Sequence, residues 1–119
     1  MLINLTNHPS TLWSREQTEA AAMYGEIRDL PFPTVSPSAD EAALEAQIEA
    51  YDRMVADSGA AYVLLQGEYV FTFRLATRLK ARGVRVFAAV SERCVTETQT
   101  DDGRTVKQSE YRFRQFREY

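Results

Sequence analysis

The sequence predicts an α/β fold in which a mostly parallel sheet, flanked by helices, is closed by an antiparallel β-hairpin. Three observations carry this expectation. The apolar run 61–65 lacks the alternation of a half-solvated strand and reads as a parallel strand covered on both faces, with residues 84–90 as a further buried strand. Segments with helical apolar spacing alternate with the strand-like runs, the order that builds βαβ units. Asp102-Gly103 then falls between two alternating stretches, the strongest short hairpin signal. With 119 residues, 45% hydrophobic and 26% charged, the chain reads as a single domain, 1–119, of ordinary globular composition.

The first strand is Leu2-Ile3-Asn4-Leu5. Ser14-Arg15-Glu16-Gln17 has the form of a capping box, in which serine and glutamine satisfy each other's orphan backbone donors. The helix it opens sets Trp13, Gln17, Ala20, Ala21 and Tyr24 on one face, and Gly25 supplies a left-handed C-cap. Residues 26–30 form a short strand closed by Pro31-Phe32-Pro33, because proline removes a ladder donor and holds its predecessor extended. Ser38-Ala39-Asp40-Glu41 repeats the capping pattern, and Leu44, Ile48, Tyr51 and Val55 keep helical spacing up to Gly59. After the central strand 61–65, Phe71, Leu75 and Leu79 mark a third helix over residues 68–82. Lys80 and Arg82 complement its dipole, and Gly83 ends it. The strand 84–90 follows. Thr96, Thr98 and Thr100 then alternate toward Asp102-Gly103, and residues 105–113 alternate back. The whole reads βαβαβαβ plus a hairpin, a Rossmann-like three-layer sandwich.

Charge and cysteine usage narrow the partners. A lone cysteine, Cys94, leaves no internal disulfide framework and fits a reducing compartment; it reads as a packed strand thiol. The N-terminus lacks the basic and apolar regions of a signal peptide, and no run approaches membrane-spanning length. A cytoplasmic location and no membrane partner are therefore expected. A net charge of −3 argues against duplex nucleic acid. From Arg104 onward, however, Arg104, Lys107, Arg112, Arg114 and Arg117 face only Glu110 and Glu118, a local excess suited to a small anion or an acidic partner surface. One histidine and one cysteine leave no ligand set for structural zinc. Neither a P-loop nor G-x-G-x-x-G occurs, so no metal or cofactor is expected.

In open parallel sheets ligands bind outside the carboxyl ends of the strands. Three apolar strands empty there into polar clusters: Thr6-Asn7-His8-Pro9-Ser10, Gln66-Gly67-Glu68 and Ser91-Glu92-Arg93. The first cluster offers hydroxyls, an amide and an imidazole suited to phosphate or ribose. His8 is the proton-transfer candidate because imidazole titrates near neutrality; the competing reading is a turn histidine bonded to backbone. Gly67 permits close approach of a ligand or another backbone, while Glu68 reads equally as an ordinary helix-dipole partner. Arg93 is a candidate phosphate clamp, with pairing to Glu92 or Glu68 the alternative. Phe71, Phe73, Phe87, Phe113 and Phe116 read as core. Trp13 and Tyr69 start helices beside polar exits, where core packing competes with base stacking.

The opening Leu2-Ile3-Asn4-Leu5-Thr6-Asn7-His8-Pro9-Ser10, with Gln17 downstream, the exit Leu30-Pro31-Phe32-Pro33 and the short α/β body resemble small stand-alone CRISPR-associated proteins related to CARF domains and ring nucleases. The likeness is one of layout over most of the chain, and its moderately specific motif covers Asn4, Thr6, Asn7, His8 and Ser10. It implies binding of the cyclic oligoadenylate messengers of type III CRISPR antiviral defence, either by a ring nuclease that linearises them or by a messenger sponge that only holds them. It further implies a homodimer whose strand exits share one symmetric ring. Gln66, Gly67, Glu68 and Arg93 join the expected site from sheet topology. The first two exits depart from the expectation in lacking a basic cluster. Cleavage would be metal-independent attack of a ribose 2′-hydroxyl on the adjacent phosphate, with His8 as proton acceptor and Arg93 and backbone amides facing the developing charge. The strand carrying Tyr111, Phe113 and Phe116 beside Arg112, Arg114 and Arg117 is the expected subunit contact. The residues leave one other class open, a non-catalytic structural or protein-interaction module whose polar exits are ordinary turns.

Overall fold

Residues 1–119 are described by a computed structural model. Five strands, β1 (Leu2–Leu5), β2 (Ile27–Asp29), β3 (Tyr62–Leu65), β4 (Arg85–Gln99) and β5 (Thr105–Glu118), form one sheet in the order β2-β1-β3-β4-β5. The first four run parallel and β5 is antiparallel to β4. The helices are α1 (Arg15–Ala22), α2 (Glu41–Ser58) and α3 (Tyr69–Ala81). This is the mixed α/β sheet that the apolar runs predict.

Because successive strand residues point to opposite faces, the central strands feed two cores. Ile3, Leu5, Val63, Leu65 and Val86 pack with Ile48 and Val55 of α2 and Phe71, Leu75 and Leu79 of α3. Leu2, Leu64 and Phe87 turn the other way, onto Ala21 of α1. Each fully buried Leu or Phe contributes roughly 1.5–3 kcal/mol, so the sheet is held from both sides by the continuous apolar runs. On the outer surface, Arg74 bridges Glu41 and Glu45, Arg78 reaches Glu45, and Arg82 reaches Asp52, which ties α3 to α2. No helix is long and apolar enough to cross a membrane.

Local details differ from the sequence pattern in three places. The N-cap of α2 is Asp40, whose carboxylate accepts from the Ala43 N–H at 2.8 Å, while Ser38 belongs to a turn with Ser36. The capping pattern lies two residues late because aspartate is as good a cap as serine. The strand read as ending at residue 90 continues to Gln99, with an irregular register at Val90/Ser91, and pairs with β5 along its length. The hairpin is therefore the outer half of β4 and β5, not a separate unit, and it draws the molecule out to 57 Å against a thickness of 21 Å. Phe73 is 73% exposed, because Leu75, Phe71 and Leu79 already fill the inward face of α3.

The C-terminal end is clasped to the sheet. The Tyr119 N–H donates to Val86 O at 2.9 Å and its phenol to Leu65 O at 2.8 Å; burial pushes that phenol's pKa up. Arg85 holds Glu118 through two nitrogens at 3.1 and 2.9 Å, and its guanidinium lies over the Phe87 ring at 5.4 Å.

The loop after β3 is fixed by packing. A Cβ on Gly67 would stand 2.3–2.5 Å from three atoms of the Phe32 ring, which is itself buried edge-on against Phe71 at 5.1 Å. Gly67→Ala is expected to cost about 1–3 kcal/mol through overpacking, read as a lower urea midpoint with an unchanged slope. The cost should shrink in a Phe32→Leu background. Equal loss in both backgrounds would remove the Phe32 contact as its cause.

Candidate functional site: a cleft between the first strand exit and the hairpin

The first exit is a closed hydrogen-bond network. Asn4 is 1% exposed, and its amide donates to His8 O at 2.8 Å and to Asp29 Oδ1 at 2.9 Å. Thr6 Oγ1 donates to Asn4 Oδ1 at 2.8 Å and accepts from the His8 N–H at 3.1 Å. Asp29, at the end of β2, also accepts from the Ser10 hydroxyl at 3.1 Å. Trp13 Nε1 closes the loop by donating to His8 O at 3.1 Å. Asn4, Thr6 and Ser10, expected as ligand contacts, therefore spend their polar atoms on the loop itself. Asn7 is exposed and lines a small hollow of about 270 Å³ with Asp29 and Pro31. His8 lines a different and larger cleft.

The second exit is occupied by the chain. Glu68 is the N-cap of α3, and its two oxygens accept from the Val70 and Phe71 N–H groups at 2.7 and 3.0 Å. The amides that would greet a phosphate are thus already bound to a carboxylate, the dipole reading of Glu68. The close approach at Gly67 is made by Phe32. Gln66 extends the sheet with its side chain: its Oε1 accepts from the Ala89 N–H at 3.0 Å, and its Nε2 lies 3.4 Å from Ala89 O.

The expected third exit is no exit. Ser91, Glu92 and Arg93 lie inside β4, because pairing with β5 carries the strand past the point where its apolar run stops. Ser91 lines the cleft, and Glu92 receives Arg114 at 2.6 Å. Arg93 is exposed opposite Tyr111, about 7 Å beyond Ser91 along the strand. It does not line the cleft with His8.

The cleft has two adjoining lobes. One, of about 430 Å³, is floored by Leu64, Gln66 and Ala89 and flanked by His8, Trp13, Gln17, Ser91 and Tyr111. The other, of about 640 Å³, opens between the start of α1 and β5, where Ser14 and Glu16 face Arg112, Phe113 and Arg114. The imidazole of His8, the carboxamide of Gln17 and the hydroxyls of Ser91 and Tyr111 carry no hydrogen bond to the rest of the chain. Arg112 is held by Glu110, which raises its pKa further, and Arg114 by Glu92. Both pairs are more than half exposed, so they are worth little and exchange readily for a stronger anion. The N-terminus of α1 adds two orphan N–H groups and positive dipole to the same side.

A protein-family model, that of the uncharacterized protein MJ1673 family, matches residues 1–117. The chain belongs to that family. No curated protein matches it. The matched segment takes in the Asn4 network, both lobes of the cleft and nearly all of the hairpin, so the site lies wholly inside the MJ1673-family segment.

Of the expected residues, His8 and Gln66 come together in this cleft, with Thr6 at its edge. Trp13, weighed in the sequence between core packing and base stacking, lines the cleft; Gln17, Tyr111, Arg112 and Arg114 are site residues that the sequence reading did not place there, although the basic, aromatic pattern of residues 111–117 carries the signal. The scaffold under His8 is testable through Asn4. Asn4→Ala leaves the Asp29 carboxylate and the His8 carbonyl each short of a donor and is expected to cost about 2–3 kcal/mol. Amide exchange should accelerate most over residues 6–13. A uniform acceleration across the sheet would show instead that Asn4 acts only on global stability.

Proposed function

We propose that this protein is a cytoplasmic, Rossmann-like nucleotide-binding protein that takes a cyclic oligoadenylate and opens its ring without a metal. The observation that supports it is the content of one cleft: an unpartnered imidazole, two exchangeable guanidiniums and the rings of Trp13, Tyr111 and Phe113 within a volume sized for nucleotide units. The family resemblance of the N-terminal motif names the ligand class.

In this reading Arg112 and Arg114 release Glu110 and Glu92 to take phosphate. Tyr111, 74% exposed, and Trp13 offer faces to bases. Arg93, with no carboxylate partner, serves a phosphate farther out on the hairpin. The reaction is attack of a ribose 2′-oxygen on the neighbouring phosphorus. The P–O5′ bond breaks, and the products are a 2′,3′-cyclic phosphate and a 5′-hydroxyl. His8 takes the 2′-proton, and water supplies the proton of the leaving oxygen. The loop network holds the His8 backbone still, so the point from which the imidazole projects is set before the ring arrives.

Cyclic oligoadenylate at saturation is expected to raise the melting temperature by several degrees by mass action. Incubation in EDTA should give linear products ending in 2′,3′-cyclic phosphate. His8→Ala should slow cleavage by about 10²-fold while leaving binding within a few-fold. Binding with an intact ring would leave a messenger sponge. No shift with cyclic tri-, tetra- or hexa-adenylate would favour the interaction module, whose surface would be the projecting hairpin with exposed Val95, Val106 and Tyr111.

The same reading includes a homodimer. The outer edge of β5 is unpaired over 14 residues, long for an edge left in solvent, and a symmetric ring presents phosphates to two clefts at once. Light scattering should give the mass of two chains with ligand bound. A one-chain mass in that state would remove the dimer from the reading.

A further inference from the structure

We infer that Gln17 reads the adenine base, as the residue that sets base specificity in the cleft. The inference rests on the nucleotide reading above and adds the group that recognises the base. Its starting point is a capping box left half made. Ser14 Oγ accepts from the Gln17 N–H at 3.2 Å, but the Gln17 side chain does not return to the Ser14 backbone as the pattern requires. Instead it lines both lobes of the cleft beside His8, Trp13 and Tyr111.

The other amide in the cleft is engaged at both ends with the backbone. Gln66 spends its oxygen on the Ala89 N–H and turns its nitrogen toward Ala89 O. The guanidiniums of Arg112 and Arg114 have donors only, which suits phosphate. The two nitrogens of the His8 imidazole point along diverging directions, whereas Gln17 presents an unspent donor and an unspent acceptor side by side on one planar carboxamide. That is the pattern adenine's N6–H and N7 complement in a bidentate pair. The Tyr111 ring, free on the opposite wall, supplies a stacking face for the base that Gln17 holds by its edge. Its position on the third residue of a helix of eight, fixed through Ser14, limits the carboxamide's freedom before binding.

The test pairs a protein change with an atom change in the ligand. The probes are the cyclic oligoadenylate giving the largest melting shift and its counterpart built from 7-deazaadenosine, which lacks the N7 acceptor. Gln17→Ala is expected to weaken the natural ring roughly tenfold, and the deaza substitution to weaken binding to the unaltered protein by a similar factor. Combined, the two losses should not add, because each removes the same contact. Gln17→Glu retains helix propensity and the capping pattern but cannot donate to N7, so it should bind the natural ring at least as weakly as Gln17→Ala. Additive losses, or a Gln17→Ala or Gln17→Glu protein that binds within twofold of the original, overturn the assignment. Failure of every natural ring to shift the unaltered protein defeats the nucleotide reading itself, and the Gln17 role with it.

Discussion

The carboxamide of Asn4 sits under everything that the first strand exit does. It is buried at the carboxyl end of β1, and a buried amide without partners costs about 1–3 kcal/mol. Here its donors go to His8 O and Asp29 Oδ1, and its oxygen to Thr6. Those three bonds join the end of β1 to the end of β2 and bend the intervening loop back over the sheet. The His8 carbonyl accepts from Asn4 and Trp13 and its N–H donates to Thr6 Oγ1, so its main chain is fixed while its side chain is left free. A histidine held in that way costs little further ordering when a ligand arrives.

The same economy governs the rest of the sheet edge. At each place where an open parallel sheet would offer polar groups to a ligand, this chain has supplied an internal partner. Glu68 occupies the amides of α3, Phe32 fills the space over Gly67, and Gln66 stands in for a missing ladder pair at Ala89. What is left open lies between α1 and the base of the hairpin. The cleft moves off the sheet's centre line because β4 and β5 extend past the body and provide a wall that the shorter strands cannot.

The sheet was legible because its signal is composition: residues 61–65 and 86–90 are strand-forming and without a charged residue, and burial on both faces accommodates that. The extension of β4 was not, because residues 91–99 are polar and their strand geometry comes from pairing with β5, not from burial. That one misplacement moved Arg93 from a strand exit to a hairpin face. The site was half legible for a related reason. His8 and Gln66 are separated by a parallel pairing that periodicity predicts, whereas Arg112 and Arg114 reach the cleft only through antiparallel register. A register shift of one residue exchanges the two faces of a strand, and the sequence does not state where the irregularity at Val90/Ser91 falls. Asn4, Thr6 and Ser10 were read as ligand contacts because hydroxyls and amides that build a loop are the same groups that bind phosphate.

The charge arrangement bears on how a chain of net charge −3 would accommodate the anion proposed for the cleft. Its basic residues are not gathered into a bare patch, which would repel itself and attract nucleic acid indiscriminately. Arg112 and Arg114 each carry a carboxylate from the hairpin itself, Glu110 and Glu92, and both pairs are solvent-exposed and therefore weak. A phosphate offers a guanidinium stronger, bidentate contacts than an exposed carboxylate, and the displaced Glu side chains return to water at small cost. Duplex nucleic acid, which needs a broad basic face, meets alternating charge along the hairpin and gains nothing comparable. In the proposed reading, selectivity for a compact anion rests on where the carboxylates stand, and a ligand seated between α1 and β5 meets both arginines at once.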